Sequence, residues 1–322
     1  MHILVTGGAG YIGSHVCKAL SQKGYIPVTL DNLSLGHRSA VKWGPFVEGD
    51  ILDAPLLNAL CRTYPFKGAI HLAALSNVRE SLQTPLSYYR NNVVGSLTLL
   101  ETLQKQGIAY SVLSSTCAIY GLPKQTSIDE DHAKNPINIY GKSKWMVEQM
   151  GQSISQTYGM HFATLRYFNA AGADLEGEIG ESHDPETHLI PLLIQTALKK
   201  RPHFTLFGSD HATPDGTPIR DFIHVTDLAE AHIKALEWMM ENNKNLTLNL
   251  GTGKGYSVKE VIQAVEKELA SSIPVVEGER LKEDPPFLVA NPEKAFKLLN
   301  WKPKHSDLPT IIHTAKQWLK KK

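Results

Sequence analysis

A glycine-rich turn at the start of the chain constrains its fold more than any other feature. The apolar run at residues 2–6 is typical of a buried strand, and it leads directly into a turn that carries Gly7, Gly10 and Gly13. Apolar residues in the following stretch, 11–23, recur at helical spacing. Glycines between a strand and a helix permit a tight turn and let backbone amides approach a pyrophosphate at the helix N-terminus.

An acidic residue after the next strand indicates which dinucleotide this turn would hold. A second apolar run at 25–30 is followed directly by Asp31. A carboxylate about 20 residues after the glycines suits the 2′-hydroxyl of a ribose and would repel a 2′-phosphate. Strand, turn, helix, strand and acid together predict an NAD site, and they favour NAD over NADP.

Strand-like and helix-like segments alternate through the first half of the chain. Further strands are expected at 46–50, 68–72, 110–114 and 161–165, and helices at 85–106 and 140–158. This alternation predicts an α/β fold, a doubly wound parallel sheet of the Rossmann type with a second, smaller α/β substrate domain. We expect the NAD-binding domain at 1–172 and the substrate domain at 173–322, with 221–250 packing back on the first domain.

Composition excludes several classes of function. The net charge of +1 favours neither a nucleic-acid nor a membrane-surface partner, and the three cysteines give neither a disulfide framework nor metal-ligand spacing. No apolar run approaches the length of a membrane span. Since the first residues already read as a core strand, no signal peptide is expected. The prediction is a cytoplasmic protein without nucleic-acid, membrane or metal partners.

Tyr140 and Lys144 are the candidate catalytic pair. Four residues apart on a helix, they lie on one face, one turn apart. A free tyrosine has a pKa of about 10, and a neighbouring cation favours its phenolate, the form that accepts a proton. A second pair with this spacing, Tyr120 and Lys124, encloses Gly121 and Pro123 and therefore predicts a turn.

These segments, in this order, carry a resemblance that spans essentially the whole chain. The sequence resembles the extended short-chain dehydrogenase/reductases, and among them the UDP-glucose 4-epimerases. The resemblance is carried by the residues at 6–15, 30–34, 49–51, 78–81, 88–93, 114–116, 140–144, 166–169, 188–191, 207–208, 215–217 and 220–225.

The resemblance implies a set of site residues. Tyr140 and Lys144 would be catalytic, with Thr116 as the hydroxyl beside the sugar O4. The residues implied for NAD are Gly7, Gly10, Tyr11, Ile12, Gly13, Asp31, Asn32, Leu33, Ser34, Gly36, Asp50, Ile51, Leu72, Ala73, Ala74, Leu75, Asn91, Tyr140, Lys144 and Phe168. Those implied for the substrate are Thr116, Tyr140, Asn169, His188, Leu189, Thr205, Leu206, Phe207, Arg220, Asp284 and Leu288.

The resemblance also implies an activity and an assembly. It implies interconversion of UDP-glucose and UDP-galactose at C4, through a transient 4-keto sugar and bound NADH. A homodimer through the helices at 85–106 and 142–158 would be typical, with Leu97, Met146 and Met150 as apolar residues there.

Three alternatives stay open at this point. One is 4-epimerisation of another UDP-sugar, an N-acetylhexosamine or a uronic acid or pentose. The resemblance places Leu288 where residue size limits the group on C2, and leucine is smaller than an aromatic residue, which would admit an N-acetylhexosamine. A nucleotide-sugar 4,6-dehydratase is disfavoured, because Thr116 is followed by Cys117 and Ala118 where that chemistry needs an acid. A non-catalytic NAD-binding protein is disfavoured because both Tyr140 and Lys144 are present.

Departures from the family pattern concern two places. Ser76 stands where the family often has lysine. The family's Arg-Arg-x-Gly-Asp segment reads Arg280-Leu281-Lys282-Glu283-Asp284 here, so a cation for the substrate diphosphate is missing unless Arg280 or Lys282 replaces it.

Two histidine pairs, His183 with His188 and His203 with His211, lie in loops without a metal-binding spacing and are expected to be surface or substrate-loop residues.

Overall fold

The computed structural model describes residues 1–281 and 284–321. The strands are β1 (His2–Thr6), β2 (Ile26–Asp31), β3 (Phe46–Glu48), β4 (Phe66–His71), β5 (Tyr110–Thr116), β6 (His161–Tyr167), β7 (Asn169–Ala171), β8 (Phe204–Phe207), β9 (Ile219–His224), β10 (Leu246–Leu250), β11 (Gly255–Ser257), β12 (Val275–Gly278) and β13 (Phe287–Leu288). The α-helices are α1 (Tyr11–Gln22), α2 (Ala54–Thr63), α3 (Val78–Gln83), α4 (Pro85–Tyr88), α5 (Ser96–Lys105), α6 (Ile139–Tyr158), α7 (Leu189–Ala197), α8 (Val225–Asn242), α9 (Val258–Leu269), α10 (Glu293–Leu299) and α11 (Leu308–Lys320).

Seven parallel strands form the central sheet, in the order β10-β6-β5-β4-β1-β2-β3. This order confirms the predicted doubly wound α/β fold. Strand β10 comes from the second half of the chain, and it extends the sheet by pairing with β6 from Leu246 opposite Ala163 onwards. Because β2 and β4 lie on opposite sides of β1, the connections after β1 and β4 diverge and leave a crevice at the carboxyl ends of the strands.

Alternating side chains of β1 enter the two cores that cover the sheet. Ile3 and Val5 pack with α1, α8 and α10 on one face, while Leu4 packs with α2, α5 and α6 on the other. This alternation follows from the period of two along a strand. Since all three residues are fully buried, β1 holds the glycine turn on a rigid support.

The predicted helix at 85–106 is divided by a π-helical segment at Tyr89–Gly95, between α4 and α5. Within this segment the Asn92 side chain accepts a hydrogen bond from the Leu75 amide at 2.8 Å and donates one to its carbonyl oxygen at 2.9 Å. The wider turn therefore presents Asn92 to the loop that follows β4. Such π segments are often found at functional sites.

The second half of the chain builds a separate apolar core. Strands β11, β9, β13 and β7 form one small sheet, and β12 pairs with β8 in another. Helices α7, α9 and α11 pack together through residues such as Leu193, Val261 and Ile311. None of the helices described is long and apolar enough to cross a membrane.

Candidate active site

Close backbone contacts require glycine in the turn after β1. A Cβ atom on Gly13 would lie 2.0 Å from the Gly7 carbonyl oxygen, and one on Gly7, whose φ is +73°, would lie 2.6 Å from the Ala73 amide nitrogen. In the described part of the chain, no side chain caps α1, whose N-cap residue is Gly10. The first-turn amides of α1 are thus available to an anion, and this arrangement fits the pyrophosphate of NAD.

Asp31 ties the glycine turn to the loop after β2. Its carboxylate accepts hydrogen bonds from the amides of Ala9 at 3.0 Å and Leu33 at 2.8 Å. Burial raises the pKa of Asp31, and these two amides oppose that rise. A Cβ atom on Gly36 would lie 2.9 Å from the same carboxylate. The acid therefore shapes the loop on which an adenosine ribose would lie.

A cavity of about 1040 Å³ extends from the glycine turn into the second half of the chain. Most of the residues predicted for the site line it: Gly7, Gly10, Tyr11, Ile12, Gly13, Leu72, Ala74, Thr116, Tyr140, Lys144, Phe168, Asn169, His188, Leu189, Thr205, Leu206, Phe207, Arg220, Asp284 and Leu288.

The remaining predicted cofactor residues lie outside the lining of this cavity. They are Asp31, Asn32, Leu33, Ser34, Gly36, Asp50, Ile51, Ala73, Leu75 and Asn91. Two of them are joined directly, since Asn32 donates a side-chain hydrogen bond to the Asp50 carboxylate at 2.8 Å. Strands β2 and β3, after which these two residues follow, are neighbours in the sheet.

Three buried side chains meet where β5 faces α6. Tyr140 lies in the first turn of α6, and the Asn138 side chain caps that helix by accepting a hydrogen bond from the Gly141 amide at 2.7 Å. Thr116 ends β5, and its hydroxyl forms a hydrogen bond with that of Tyr140. Lys144, one turn further along α6, donates to the Ser114 carbonyl oxygen at 2.9 Å.

The electrostatics of this group differ from the sequence-based expectation. Burial raises the pKa of Tyr140 above its ordinary value, the neighbouring Tyr167 raises it further, and the hydrogen bond with Thr116 opposes them. Burial also lowers the pKa of Lys144 to about 8, although Glu148 opposes that shift. Desolvation thus outweighs the expected stabilisation of the phenolate, and the protein by itself holds Tyr140 as a neutral phenol.

The second tyrosine–lysine pair has a structural role. Tyr120 is buried in a short 3₁₀ turn, donates to the Asn249 side chain at 2.6 Å and accepts a hydrogen bond from Arg166 at 3.0 Å. Gly121 follows with a φ of +65°. The reversal there ends the turn, so Tyr120 and Lys124 do not share a helix face, as predicted.

The far end of the cavity carries an ion pair and an aromatic contact. Arg220 on β9 pairs with Asp284. The guanidinium of Arg79, on α3, lies 4.5 Å from the ring centroid of Phe207. Sequence reasoning gave Arg79 no role, because only the fold brings α3 beside β8.

The departure at residue 281 is visible in the cavity wall. Leu281 lines the cavity, whereas Arg280 does not line it and reaches Asp210 at 4.0 Å. Arg280 is therefore not placed to supply the missing cation. Lys282 and Glu283, also named in that departure, lie outside the described residues.

Two acids, Glu181 and Glu186, escaped sequence reasoning, and they lie with the histidine pair His183 and His188. Nδ1 of His188 lies 2.6 Å from Glu181 and 3.1 Å from Glu186, and Nδ1 of His183 lies 3.1 Å from Glu181. All four residues line the cavity. His183 and His188 thus contact the same carboxylate, and their short spacing from Glu181 and Glu186 in the sequence was the available signal. The second histidine pair of the sequence analysis was expected at the surface or in a substrate loop. His203 is exposed as expected, whereas His211 is buried.

Comparison with known proteins agrees with this geometry. The family model described as the NAD dependent epimerase/dehydratase family matches residues 3–251. A UDP-glucose 4-epimerase of Rhizobium leguminosarum bv. trifolii is 50% identical over 316 residues, which cover 98% of this chain and 96% of that protein.

Solved structures give the same result. The Brucella ovis UDP-glucose 4-epimerase in complex with NAD has a TM-score of 0.95 at 48% identity, and the match covers 98% of this chain and 97% of that one. The Bifidobacterium longum enzyme of that name, in complex with NAD⁺ and UDP, has a TM-score of 0.94 at 32% identity, and the match covers 100% and 98%. The chain belongs to the NAD dependent epimerase/dehydratase family.

Proposed function

We propose that the chain is an NAD-dependent 4-epimerase that interconverts UDP-glucose and UDP-galactose. One observation carries the proposal: Thr116, Tyr140 and Lys144 meet in the same cavity as the glycine turn of a dinucleotide site. The cavity continues to Arg220 and Phe207, which suit a diphosphate and a base. The relatives named above are UDP-glucose 4-epimerases, and this chain matches them along nearly their whole length.

Each of the three buried side chains has a distinct task in this proposal. Tyr140, as the phenolate that the charges of Lys144 and of bound NAD⁺ would together favour, accepts the proton of the sugar 4-hydroxyl, and Thr116 holds O4 beside it through its hydroxyl. Lys144, anchored on Ser114, contributes the positive charge that favours the Tyr140 phenolate. NAD, held by the first-turn amides of α1 and by Asp31, would supply the hydride acceptor and donor at C4 of the sugar.

The proposed cofactor site extends beyond the cavity. The first-turn amides of α1 would hold the pyrophosphate, and Asp31 the adenosine ribose. The further residues proposed for NAD are Asn32, Leu33, Ser34, Gly36, Asp50, Ile51, Leu72, Ala73, Ala74, Leu75, Asn91 and Phe168. The rim formed by Asn32 and Asp50 supports an adenine position next to β2 and β3.

The proposed substrate site is assembled by the second half of the chain. Arg220 would pair with the diphosphate and Phe207 would pack on the uracil. The other residues proposed for the UDP-sugar are Asn169, His188, Leu189, Thr205, Leu206, Asp284 and Leu288, all of which line the cavity. We place the boundary between the two domains at 172 and 173, with 221–250 returned to the first domain; strand β10 in the central sheet supports this division.

A second substrate is supported by one observation. Leu288, on β13, lines the cavity and is smaller than an aromatic residue. A UDP-N-acetylhexosamine is therefore a candidate substrate alongside UDP-glucose. Epimerisation of UDP-glucose without any epimerisation of UDP-N-acetylglucosamine would contradict this extension.

We also propose a homodimer formed through α4, α5 and α6. Large apolar side chains are exposed there, with Leu86 81%, Leu97 46% and Met146 40% accessible. The three lie on helices that pack together, since α4 and α5 both contact α6, and exposed apolar residues on neighbouring helices are typical of a surface that another chain covers.

The decisive experiment adds UDP-galactose to the purified protein without external NAD. We expect UDP-glucose to form, since the reaction consumes no net reductant. Tyr140→Phe should retain bound NAD and lose turnover, because the variant lacks the proton acceptor. Tyr158→Phe, an exposed tyrosine of the same helix, is the matched control and should keep full activity. Near-normal turnover in Tyr140→Phe would refute the assignment of the base.

A further inference from the structure

Arg79 extends from the first half of the chain into the far end of the cavity. It lies in the first turn of α3, and Val78, Arg79 and Leu82 of that helix line the cavity. Its guanidinium lies 4.5 Å from the ring centroid of Phe207, which ends β8 in the second half. No residue of α3 is among the site residues that the resemblance implies. Arg79 nevertheless contacts the ring on which the uracil of the proposed substrate would pack.

The backbone that carries Arg79 is held in place by the fold. The Asn77 side chain accepts hydrogen bonds from the amides of Arg79 at 3.0 Å and Glu80 at 3.2 Å. The Asn77 carbonyl oxygen accepts another from the hydroxyl of Tyr88, a fully buried residue, at 2.7 Å. Helix α3 also packs against α6, the helix of Tyr140. The position of the Arg79 backbone is therefore fixed, while its side chain is exposed and can change its rotamer.

The Arg79 guanidinium has an aromatic partner but, among residues 1–281 and 284–321, no ion-pair partner. The adjacent Glu80 carboxylate accepts a hydrogen bond from the Tyr88 hydroxyl at 3.2 Å instead. A contact between a guanidinium and an aromatic ring is weak at an exposed site, whereas paired hydrogen bonds from a guanidinium to a phosphate are strong. A phosphate that enters the cavity would therefore attract this guanidinium away from the ring.

The cavity lacks a cation where the family pattern has one. Leu281 lines the cavity in the place of the second arginine of that pattern. Arg220 faces the cavity, but the Asp284 carboxylate already pairs with its guanidinium. Lys144 is buried beside Tyr140. Because each phosphate of a UDP-sugar carries a negative charge at neutral pH, the diphosphate needs a further cation.

A third arginine, Arg201, also lines the cavity, but away from the ring of Phe207. It precedes β8, whereas Phe207 ends that strand, and the four residues of β8 alone span about 10 Å. Arg79 is thus the arginine beside the ring on which the uracil would pack. Because a single ribose joins the uracil to the diphosphate, a cation beside the base is also close to the phosphates.

We propose that Arg79 is a substrate-binding residue whose guanidinium pairs with the diphosphate of the UDP-sugar and replaces the cation missing at Leu281. When the uracil packs on Phe207, the guanidinium leaves the ring and turns to the phosphate oxygens. This inference rests on the proposed function. Its consequence is that the diphosphate is held from both halves of the chain, by Arg79 on α3 and by Arg220 on β9.

The test compares UDP-glucose with uridine, which has the base and the ribose but no diphosphate. Both bind to NAD-loaded Tyr140→Phe protein, which prevents turnover; calorimetry measures UDP-glucose and ligand-observed NMR measures uridine. We expect Arg79→Leu to weaken UDP-glucose binding about tenfold, through the loss of one charge-assisted pair. Uridine binding should not weaken, because the ring of Phe207 stays open to the base.

Two further variants separate a specific pair from a general loss of positive charge. Arg201→Leu removes an exposed arginine that lines the cavity away from Phe207, and it should change the dissociation constant of UDP-glucose less than about twofold. Leu281→Arg, added to the Arg79→Leu protein, should restore most of the lost affinity, because residue 281 lines the same cavity and arginine pairs well with phosphate.

Steady-state kinetics in the protein with Tyr140 intact give an independent measurement. The diphosphate keeps its charge throughout the reaction, so Arg79 would bind the substrate and the transition state equally. Arg79→Leu should therefore raise KM for UDP-galactose about tenfold and leave kcat unchanged. A fall in kcat with an unchanged KM would contradict the inference, since it would place Arg79 at the reacting sugar.

Other results would overturn the inference and leave the proposed function intact. One is an unchanged affinity for UDP-glucose in Arg79→Leu. Equal weakening of uridine and UDP-glucose would show that Arg79 acts on the base rather than on the diphosphate. Equal weakening in Arg201→Leu would show a general effect of charge. Absence of UDP-glucose binding to the NAD-loaded Tyr140→Phe protein would instead refute the proposed substrate.

Discussion

Lys144 donates a hydrogen bond from its ammonium group to the Ser114 carbonyl oxygen, 2.9 Å away. The bond joins α6 to the end of β5, so the helix that carries Tyr140 is fixed to the strand that carries Thr116. Lys144 thereby lies fully inside the protein, with 4% of its surface exposed. Burial disfavours the charged form of lysine, so the activity should depend on pH in the range where Lys144 loses its proton.

We predict that kcat/KM for UDP-galactose falls above about pH 8. Burial lowers the pKa of Lys144 to about 8, so its positive charge is complete below that pH and lost above it. Without this charge the Tyr140 phenolate loses a stabilising neighbour, and the rate should fall about tenfold per pH unit. A pH–rate profile checks this expectation. Lys144→Arg, whose guanidinium does not titrate, should show a lower plateau without the alkaline fall. A rate that keeps rising through pH 9 in the unmodified protein, about one unit above that pKa, would argue against Lys144 as the titrating group.

A second prediction concerns the glycine turn. In Gly13→Ala the new Cβ atom would lie 2.0 Å from the Gly7 carbonyl oxygen and 2.8 Å from the Gly8 Cα. Backbone atoms cannot move away as a side-chain end can, so we expect a loss of about 1–3 kcal/mol in unfolding free energy and loss of bound NAD. Urea denaturation and the absorbance of cofactor released on denaturation measure the two effects.

Gly24→Asn provides the matched control for this variant. Gly24 also has a positive φ, +80°, but an added Cβ atom would meet nothing within 4 Å. Asparagine tolerates such a backbone conformation, so less than about 1 kcal/mol should be lost and NAD should be retained. Equal loss of NAD in both variants would mean that the turn does not contact the cofactor.

Local patterns in the sequence predicted the parts of the site that lie within one or two elements. The glycine turn and Asp31 belong to one strand–helix–strand unit, and Tyr140 and Lys144 share one helix face. Gly121 and Pro123 correctly separated the second tyrosine–lysine pair, Tyr120 and Lys124, from the pair on α6. In each case the geometry follows from the backbone of a single short segment.

Contacts between distant segments could not be predicted in this way. The Arg79 guanidinium contacts the Phe207 ring only because the fold brings α3 beside β8. The sequence of neither segment predicts this contact. The raised pKa of Tyr140 depends on burial under elements from several parts of the chain. The four residues of the Glu181–His188 cluster are close in sequence, but their hydrogen bonds depend on how the loop folds back on itself.

The proposed homodimer leads to a third prediction. Leu97→Glu places a charge on the exposed apolar surface of α5, and burying that charge between two chains is costly. We expect light scattering to give the variant the mass of one 35.6 kDa chain and the unmodified protein twice that mass. Leu122→Glu alters a leucine that is 57% exposed outside these helices and should leave the mass unchanged. A monomeric unmodified protein would exclude the dimer.

The fourth prediction concerns the buried ion pair of Arg166 and Glu148, which lie 2.7 Å apart with 5% and 6% of their side chains exposed. Glu148→Leu leaves the guanidinium buried without its carboxylate, so we expect a loss of about 3–5 kcal/mol in unfolding free energy. Changing Arg166→Met as well removes the unpaired charge, and the double variant should be more stable than the single one. Urea denaturation of the four proteins of this cycle gives the coupling energy.

An exposed pair provides the comparison for this cycle. Glu101 and Lys105 lie 2.6 Å apart on α5, but more than half of each side chain is exposed. Water solvates either partner when the other is removed, so Glu101→Gln should cost less than about 0.5 kcal/mol. If Glu148→Leu cost no more than this, the Arg166 guanidinium would have to find another partner, and Tyr120, which it already contacts at 3.0 Å, would be the first candidate.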